Sequence, residues 1–260
     1  MARSIVRLVV VCAMVTIAYG VPAHAGDLAL IVRPDPGTLG TVSGVNLDNG
    51  GIFHIAKLLR PVHAFADDGH GTLYGVDAEA DVLLEIDPAT GEVTEIGSLR
   101  MDAIPWALDL ACDDAGSLWM VTFGEQETAG IYSVDRSSGH ARFFTTIEER
   151  YLGGIASRGG FLYVAGELLG VVDPERGVVE RIGGEWGLEM WWAKALDFDR
   201  DGGLVVLGIC VPCAAPFEVN ALSVLDLEEG TVDFVTLLRA DAMAVEMADS
   251  DHDPTRAYLD

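Results

Sequence analysis

The chain has 260 residues, 41 acidic against 16 basic side chains and a formal charge of −25. Such acidity argues against nucleic acid and against anionic membrane surfaces as partners, and it leaves room for cations. Thirty glycines and ten prolines fall at strand-length intervals, and no long segment keeps an i, i+3, i+4 apolar rhythm, so helical folds are excluded.

The first element is MARSIVRLVVVCAMVTIAYGVPAHAG. Arg3 and Arg7 precede an apolar run from Leu8 to Ala18, and Ala23-His24-Ala25 has a small-x-small cleavage pattern. Residues 1–25 therefore read as a secretory signal peptide, with residues 26–260 as one exported domain, periplasmic or extracellular. The run is too short for a comfortable membrane span, and Cys12 follows three valines rather than a small residue, which disfavours lipidation. Removing this segment takes two basic residues and no acidic one, so the remaining chain is more acidic still.

The next elements repeat. Val45-Asn46-Leu47-Asp48-Asn49-Gly50, Ile86-Asp87-Pro88-Ala89-Thr90-Gly91, Val134-Asp135-Arg136-Ser137-Ser138-Gly139, Val172-Asp173-Pro174-Glu175-Arg176-Gly177 and Leu225-Asp226-Leu227-Glu228-Glu229-Gly230 share one pattern. Each has an apolar residue, Asp or Asn, turn residues and Gly, and each lies between apolar or alternating runs. Asp and Asn bond turn backbone, Pro presets φ, and Gly accepts positive φ, so each copy is a β-hairpin. A second hairpin set lies between them, in VHAFADDGHGTLYGV, ALDLACDDAGSLWMV, GGIASRGGFLYVAG and ALDFDRDGGLVVLG. The unit is four strands, a to d, recurring about every 40 to 50 residues, which is the length of a propeller blade.

The ends supply closure. MAVEMADSDHDPTRAYLD, from Met243, reads as strands a and b without c and d, and the hairpin at Val45 lacks its own strand a. LALIV, residues 28–32, is either strand b or an extra edge strand. The expected fold is all-β, a five-bladed β-propeller of four-stranded antiparallel blades, closed by one blade split between the termini. A sixth blade is possible only if residues 27–44 hide a degenerate one. Closure removes sheet edges that an open array would leave exposed.

ALDLACDDAGSLWMV and LYGVDAEADVLLEIDPATGEVTEIG resemble blades of secreted bacterial propellers of the NHL, streptogramin-lyase-like superfamily. The resemblance also extends to uncharacterised secreted families with LYxID…IDPxTGxV repeats, and it covers nearly the whole chain after the signal segment. It implies the fold, while function varies among such propellers from lyases and lactonases to adhesion and scaffold modules. The lyases use a histidine and acidic residues with a divalent metal, a motif not matched residue by residue here.

In such a ring the d–a and b–c loops share one face. The d–a loops contain Arg60, Arg100, Arg150, Lys194 and Arg239, one basic residue per blade. His63, Trp106, Tyr151, Trp186, Trp191 and Trp192 lie in the same loops. Basic and aromatic groups around a concave mouth suit an acidic ligand, unless each base pairs with a neighbouring acid such as Asp102, Glu148, Glu149 or Asp241. His63, Trp106, Gly153, Lys194 and Met243 are expected nearest the channel mouth.

Asp197-x-Asp199-x-Asp201-Gly202 has calcium-loop spacing, but the twelfth position is Gly208 rather than Glu, so an ordinary a–b turn is the reading and a calcium ion the alternative. No other cofactor is implied. Asp109, Asp197 and Glu246 are expected at equivalent inner-strand positions, where hydrogen bonds between blades suit them better than glycosidase chemistry. Cys210 and Cys213, in the b–c loop of the last full blade, are expected to form a local disulfide in an oxidising compartment. Cys112, on another blade, is left as a free, buried thiol. The expected function is an exported, non-catalytic, monomeric propeller that binds a small acidic ligand or a protein partner at the d–a loop face. The alternative is a metal-assisted lyase or lactonase.

Overall fold

In the computed structural model of the protein the described residues are 28–33, 39–88, 90–101, 107–123, 129–147, 153–166, 169–173, 178–182, 193–199, 201–209, 220–227, 231–238 and 242–246. Residues 1–25, the expected signal peptide, lie outside them. Twenty strands and no helix occur among the described residues.

The strands form five antiparallel four-stranded sheets. Blade 1 joins β20 (Ala242–Glu246) to β1 (Leu28–Arg33), β2 (Thr41–Asn46) and β3 (Ile52–Lys57). Blade 2 is β4 (Ala64–Asp67), β5 (Leu73–Asp77), β6 (Val82–Ile86) and β7 (Val93–Ser98). Blade 3 is β8 (Ala107–Cys112), β9 (Leu118–Phe123), β10 (Ala129–Val134) and β11 (Ala141–Ile147). Blade 4 is β12 (Gly154–Arg158), β13 (Phe161–Ala165), β14 (Leu169–Asp173) and β15 (Val178–Arg181). Blade 5 is β16 (Ala193–Phe198), β17 (Leu204–Ile209), β18 (Asn220–Asp226) and β19 (Thr231–Leu238). Inner strands touch in ring order, β4 to β8 to β12 to β16 to β20 and back to β4. The chain is a closed five-bladed propeller, with its blade split between the termini as the repeat pattern implies.

The split differs in detail from the expected one. LALIVR is strand b of blade 1, and β20 supplies strand a alone. LALIV can be an inner strand because both its faces are apolar. Leu28, Leu30 and Val32 pack toward blade 2, while Ala29 and Ile31 pack toward blade 5. Met243, expected at the channel mouth, is fully buried in that second core instead.

Each apolar cluster is made by two neighbouring blades, and the cluster between blades 5 and 1 closes the circle. A recurring device fits the blades together. In four outer strands the ladder skips one residue: Ile55, Ile96, Phe144 and Val235. A bulge turns its extra residue out of the alternation, and each of these side chains packs into the gap toward the next blade.

The c–d turn of the next blade sits beside that bulge. Gly91 faces the Lys57 carbonyl, Gly139 the Gly97 carbonyl and Gly50 the Val235 carbonyl, all three with positive φ. The repeated Asp or Asn holds the same turns. Asn46 Oδ1 accepts from Asp48 and Asn49 N–H, Asp87 Oδ1 from Thr90 N–H, and Asp135 Oδ1 from Ser137 and Ser138 N–H.

Candidate functional site

The d–a and b–c loops of blade 2 are the best-described part of the expected binding face. Arg60, between β3 and β4, is already paired. Its guanidinium lies 3.0 Å from Glu95 Oε2 and 3.5 Å from Asp77 Oδ2. The Asp77 side chain is only 5% exposed, so Arg60 neutralises a carboxylate withdrawn from water. His63 is also committed to structure. Its backbone N–H donates to the Val76 carbonyl, and its ring Nδ1 accepts from the Ala78 N–H at 3.2 Å.

Arg100 stands apart. It has φ 57°, and Asp81, in the b–c turn of the same blade, has φ 58°. These two are the non-glycine residues with positive φ among the described residues, and Ser98 links them. Asp81 O accepts from Leu99 N–H at 2.9 Å, and its Oδ2 accepts from Ser98 Oγ–H at 2.9 Å. Ser98 Oγ accepts in turn from Arg100 N–H at 3.1 Å. A left-handed backbone costs an arginine on the order of 1–2 kcal/mol, and here a hydrogen-bonded frame holds it. The Arg100 side chain is exposed and has no acidic partner among the described residues. Asp81 and Ser98 escaped the sequence reading because AEAD and EIGSL have no signal beyond an ordinary turn and strand end.

Lys194 lies on a bulge of β16, between Ala193 and Ala195, half-buried and already engaged with a neighbour. Trp106, Arg150, Tyr151, Trp186, Trp191, Trp192 and Arg239 lie outside the described residues, as do Cys210 and Cys213. Asp199 is a turn residue: its Oδ1 accepts from Gly202 N–H at 2.8 Å and Gly203 N–H at 2.6 Å. Asp113 and Asp68 do the same in the a–b turns of blades 3 and 2. Asp201 is exposed in that turn, and Asp197 Oδ1 accepts from Phe198 N–H. Among the described residues no three His, Cys, Asp or Glu side chains come together as a metal-holding group.

Asp109 and Asp197 are not equivalent, contrary to the alignment of their ALD tripeptides. The a–b turn closes four residues beyond Asp109 but two beyond Asp197. Bulges at Leu108 and Lys194 put Asp109, facing Val121, level with Ala195, facing Leu207. Asp109 is completely buried, and its Oδ2 accepts two backbone N–H groups, those of Ile155 on β12 and Leu196 on β16, each at 2.9 Å. These are bonds between blades. Inner strands have a free edge toward the axis, so their inward N–H groups need partners, and Asp109 supplies one for two strands.

No family model and no curated protein matches the sequence. Among solved structures, the chain is similar to TolB from Acinetobacter baumannii, at 15% identity over 83% of this chain and 54% of that one, with a TM-score of 0.53. It is also similar to a structural genomics protein of unknown function from Bacteroides thetaiotaomicron, at 18% identity over 69% of this chain and 53% of that one, with the same TM-score of 0.53. Virginiamycin B lyase from Staphylococcus aureus aligns at 14% identity over 84% of this chain and 71% of that one, with a TM-score of 0.47. The chain spans about half the length of the first two. What is shared is the β-propeller fold.

Proposed function

We propose that this chain is an exported, non-catalytic β-propeller that binds a small acidic ligand, or an acidic segment of a protein partner, on the face formed by its d–a loops. The signal-peptide pattern of residues 1–25 supports export. The carrying observation for binding is Arg100: an exposed arginine in a chain of charge −25, held in a costly backbone conformation by Asp81 and Ser98. Strain kept in place by a dedicated hydrogen-bond frame is a mark of functional positions. Arg60 belongs to the scaffold in this reading, because its guanidinium is spent on Asp77 and Glu95.

Calorimetry with citrate and with a short polyglutamate peptide tests it, comparing the parent with Arg100→Gly. Glycine accepts the left-handed backbone without cost, so the variant should melt no lower than the parent. A charge-assisted hydrogen bond is worth about 1.5–3 kcal/mol, so affinity should fall about tenfold or more, and added salt should weaken the parent's binding. An absence of binding heat in the parent with both probes, or equal affinity in the variant, overturns the reading.

A further inference from the structure

The axis of the ring holds a group that the loop-face reading does not use. Blades 3 and 5 are not neighbours in the circle, yet β8 and β16 touch, and Asp109 makes a bond between them. One carboxylate thus ties three blades: its own, blade 4 through Ile155 N–H and blade 5 through Leu196 N–H. All of that bonding falls on Oδ2. Oδ1 is buried and accepts no hydrogen bond.

Asp109 has no ion-pair partner among the described residues. On β4, Asp67 Oδ1 takes the Gly69 N–H of its own turn. On β5, Asp77 is paired with Arg60. No residue of β9 is ionisable. On β12 the charged residue is Arg158 at the far end, with its guanidinium over the Phe198 ring at 5.3 Å and against Gly202. On β16, Lys194 is engaged elsewhere, and Asp197 adds a like charge. Burial first, and then the Asp197 carboxylate, push the Asp109 pKa well above the ordinary carboxylate range, against the opposing pull of the Ile155, Leu196 and Leu110 N–H groups. A buried ionised carboxylate without a cation is costly enough that such groups usually take up a proton instead.

We infer that Asp109 is a proton-linked clasp: a neutral carboxylic acid that fastens blades 3, 4 and 5 at the axis, with the proton on Oδ1, and that loosens the ring when it ionises. The sign follows from linkage. The folded state keeps the proton to a higher pH than the unfolded chain does. The stabilisation is therefore complete below the ordinary carboxylate range and is lost as pH rises toward the raised value. A neutral amide at this position escapes that loss, because its oxygen can still accept both N–H groups.

Two measurements test this. The first compares melting of the parent and Asp109→Asn across pH. The parent's Tm should drop relative to the variant's as pH rises from acidic to alkaline, so that the variant is the more stable protein at high pH. Curves that stay parallel overturn the proposal. The second is infrared spectroscopy of the unmodified folded protein, which stands however the variant folds. A carbonyl band of a protonated carboxylic acid should be present at neutral pH, where surface carboxylates are ionised, and should vanish as pH is raised. Its absence at neutral pH overturns the proposal.

Discussion

Cys112 packs between blades 2 and 3 beside Tyr74, Tyr132 and Val134. Burial, and then the carboxylates of Asp68 and Asp113, push its thiol up to about 12. Thiolate is the reactive form, so native protein should resist iodoacetamide at mildly alkaline pH, with Cys112 labelled only after denaturation. Peptide mapping by mass spectrometry reads this directly, and rapid native labelling of Cys112 would contradict the packing. Tyr74, in the same cluster, has its phenol pKa raised for the same first reason. Asp135 behaves oppositely. Its exposed carboxylate accepts from the Ser137 hydroxyl and from the Ser137 and Ser138 N–H groups, and its pKa is lowered. Whatever it contributes is present above the ordinary carboxylate pKa and fades as pH falls through the lowered one. The contrast lies in where the hydrogen bonds and the water are, although both acids read alike as letters. Asp135 was legible as a turn residue because its partners are two and three positions away. Asp109 was legible as an inner-strand acid suited to hydrogen bonds between blades, but the strands it joins were not, because its partners are 46 and 87 positions away.

At the scale of elements, the repeat does two jobs in the described c–d turns of blades 1, 2 and 3. Its Asp or Asn holds the c–d turn, and its Gly lets that turn sit on the outer strand of the neighbouring blade. Gly139 shows both demands: φ is 79°, and a Cβ there would be driven into the Gly97 carbonyl. Gly139→Ala combines backbone strain with a clash against main chain and should cost about 1–3 kcal/mol. Chemical denaturation would show this as a lower midpoint with an unchanged slope. Gly69→Ala, also at positive φ but with open space around its Cβ, isolates the strain alone and should cost less. The hairpins and their turns could be read from sequence because turn chemistry repeats locally. The bulges could not. IFHIAK, VTEIGS, ARFFTTI and TVDFVTLL differ in where alternation breaks, and the skipped residue is set by the ladder with the partner strand.

At the scale of the molecule, stability depends on closing the circle. β20 hydrogen-bonds to β1 and packs against both β16 and β4. Deleting residues 242–260 would uncover Ala29, Ile31, Val205 and Leu207 and leave β1 as an open edge. An open apolar edge pairs with other chains, so the truncated protein should lose its cooperative melt and aggregate in size-exclusion chromatography. A soluble four-bladed monomer would show that closure is not required. Moving residues 242–260 to a position ahead of β1 restores blade 1 as one continuous hairpin set, and that permutant should fold.

The sequence by itself determined the all-β class, the four-strand unit, five repeats and a ring joined at its termini. Those features rest on turn chemistry and strand alternation, which act over two to five residues and are written locally. Tertiary structure alone decided that LALIVR supplies strand b, and that Asp109 takes its partners from blades 4 and 5 at the axis. It also decided that Arg60 is paired with Asp77 and Glu95, and that Asp81, through Ser98, holds the backbone at Arg100. These outcomes depend on which strand edges and charges meet when the ring closes, and residues far apart in the chain meet there without leaving a pattern in its order.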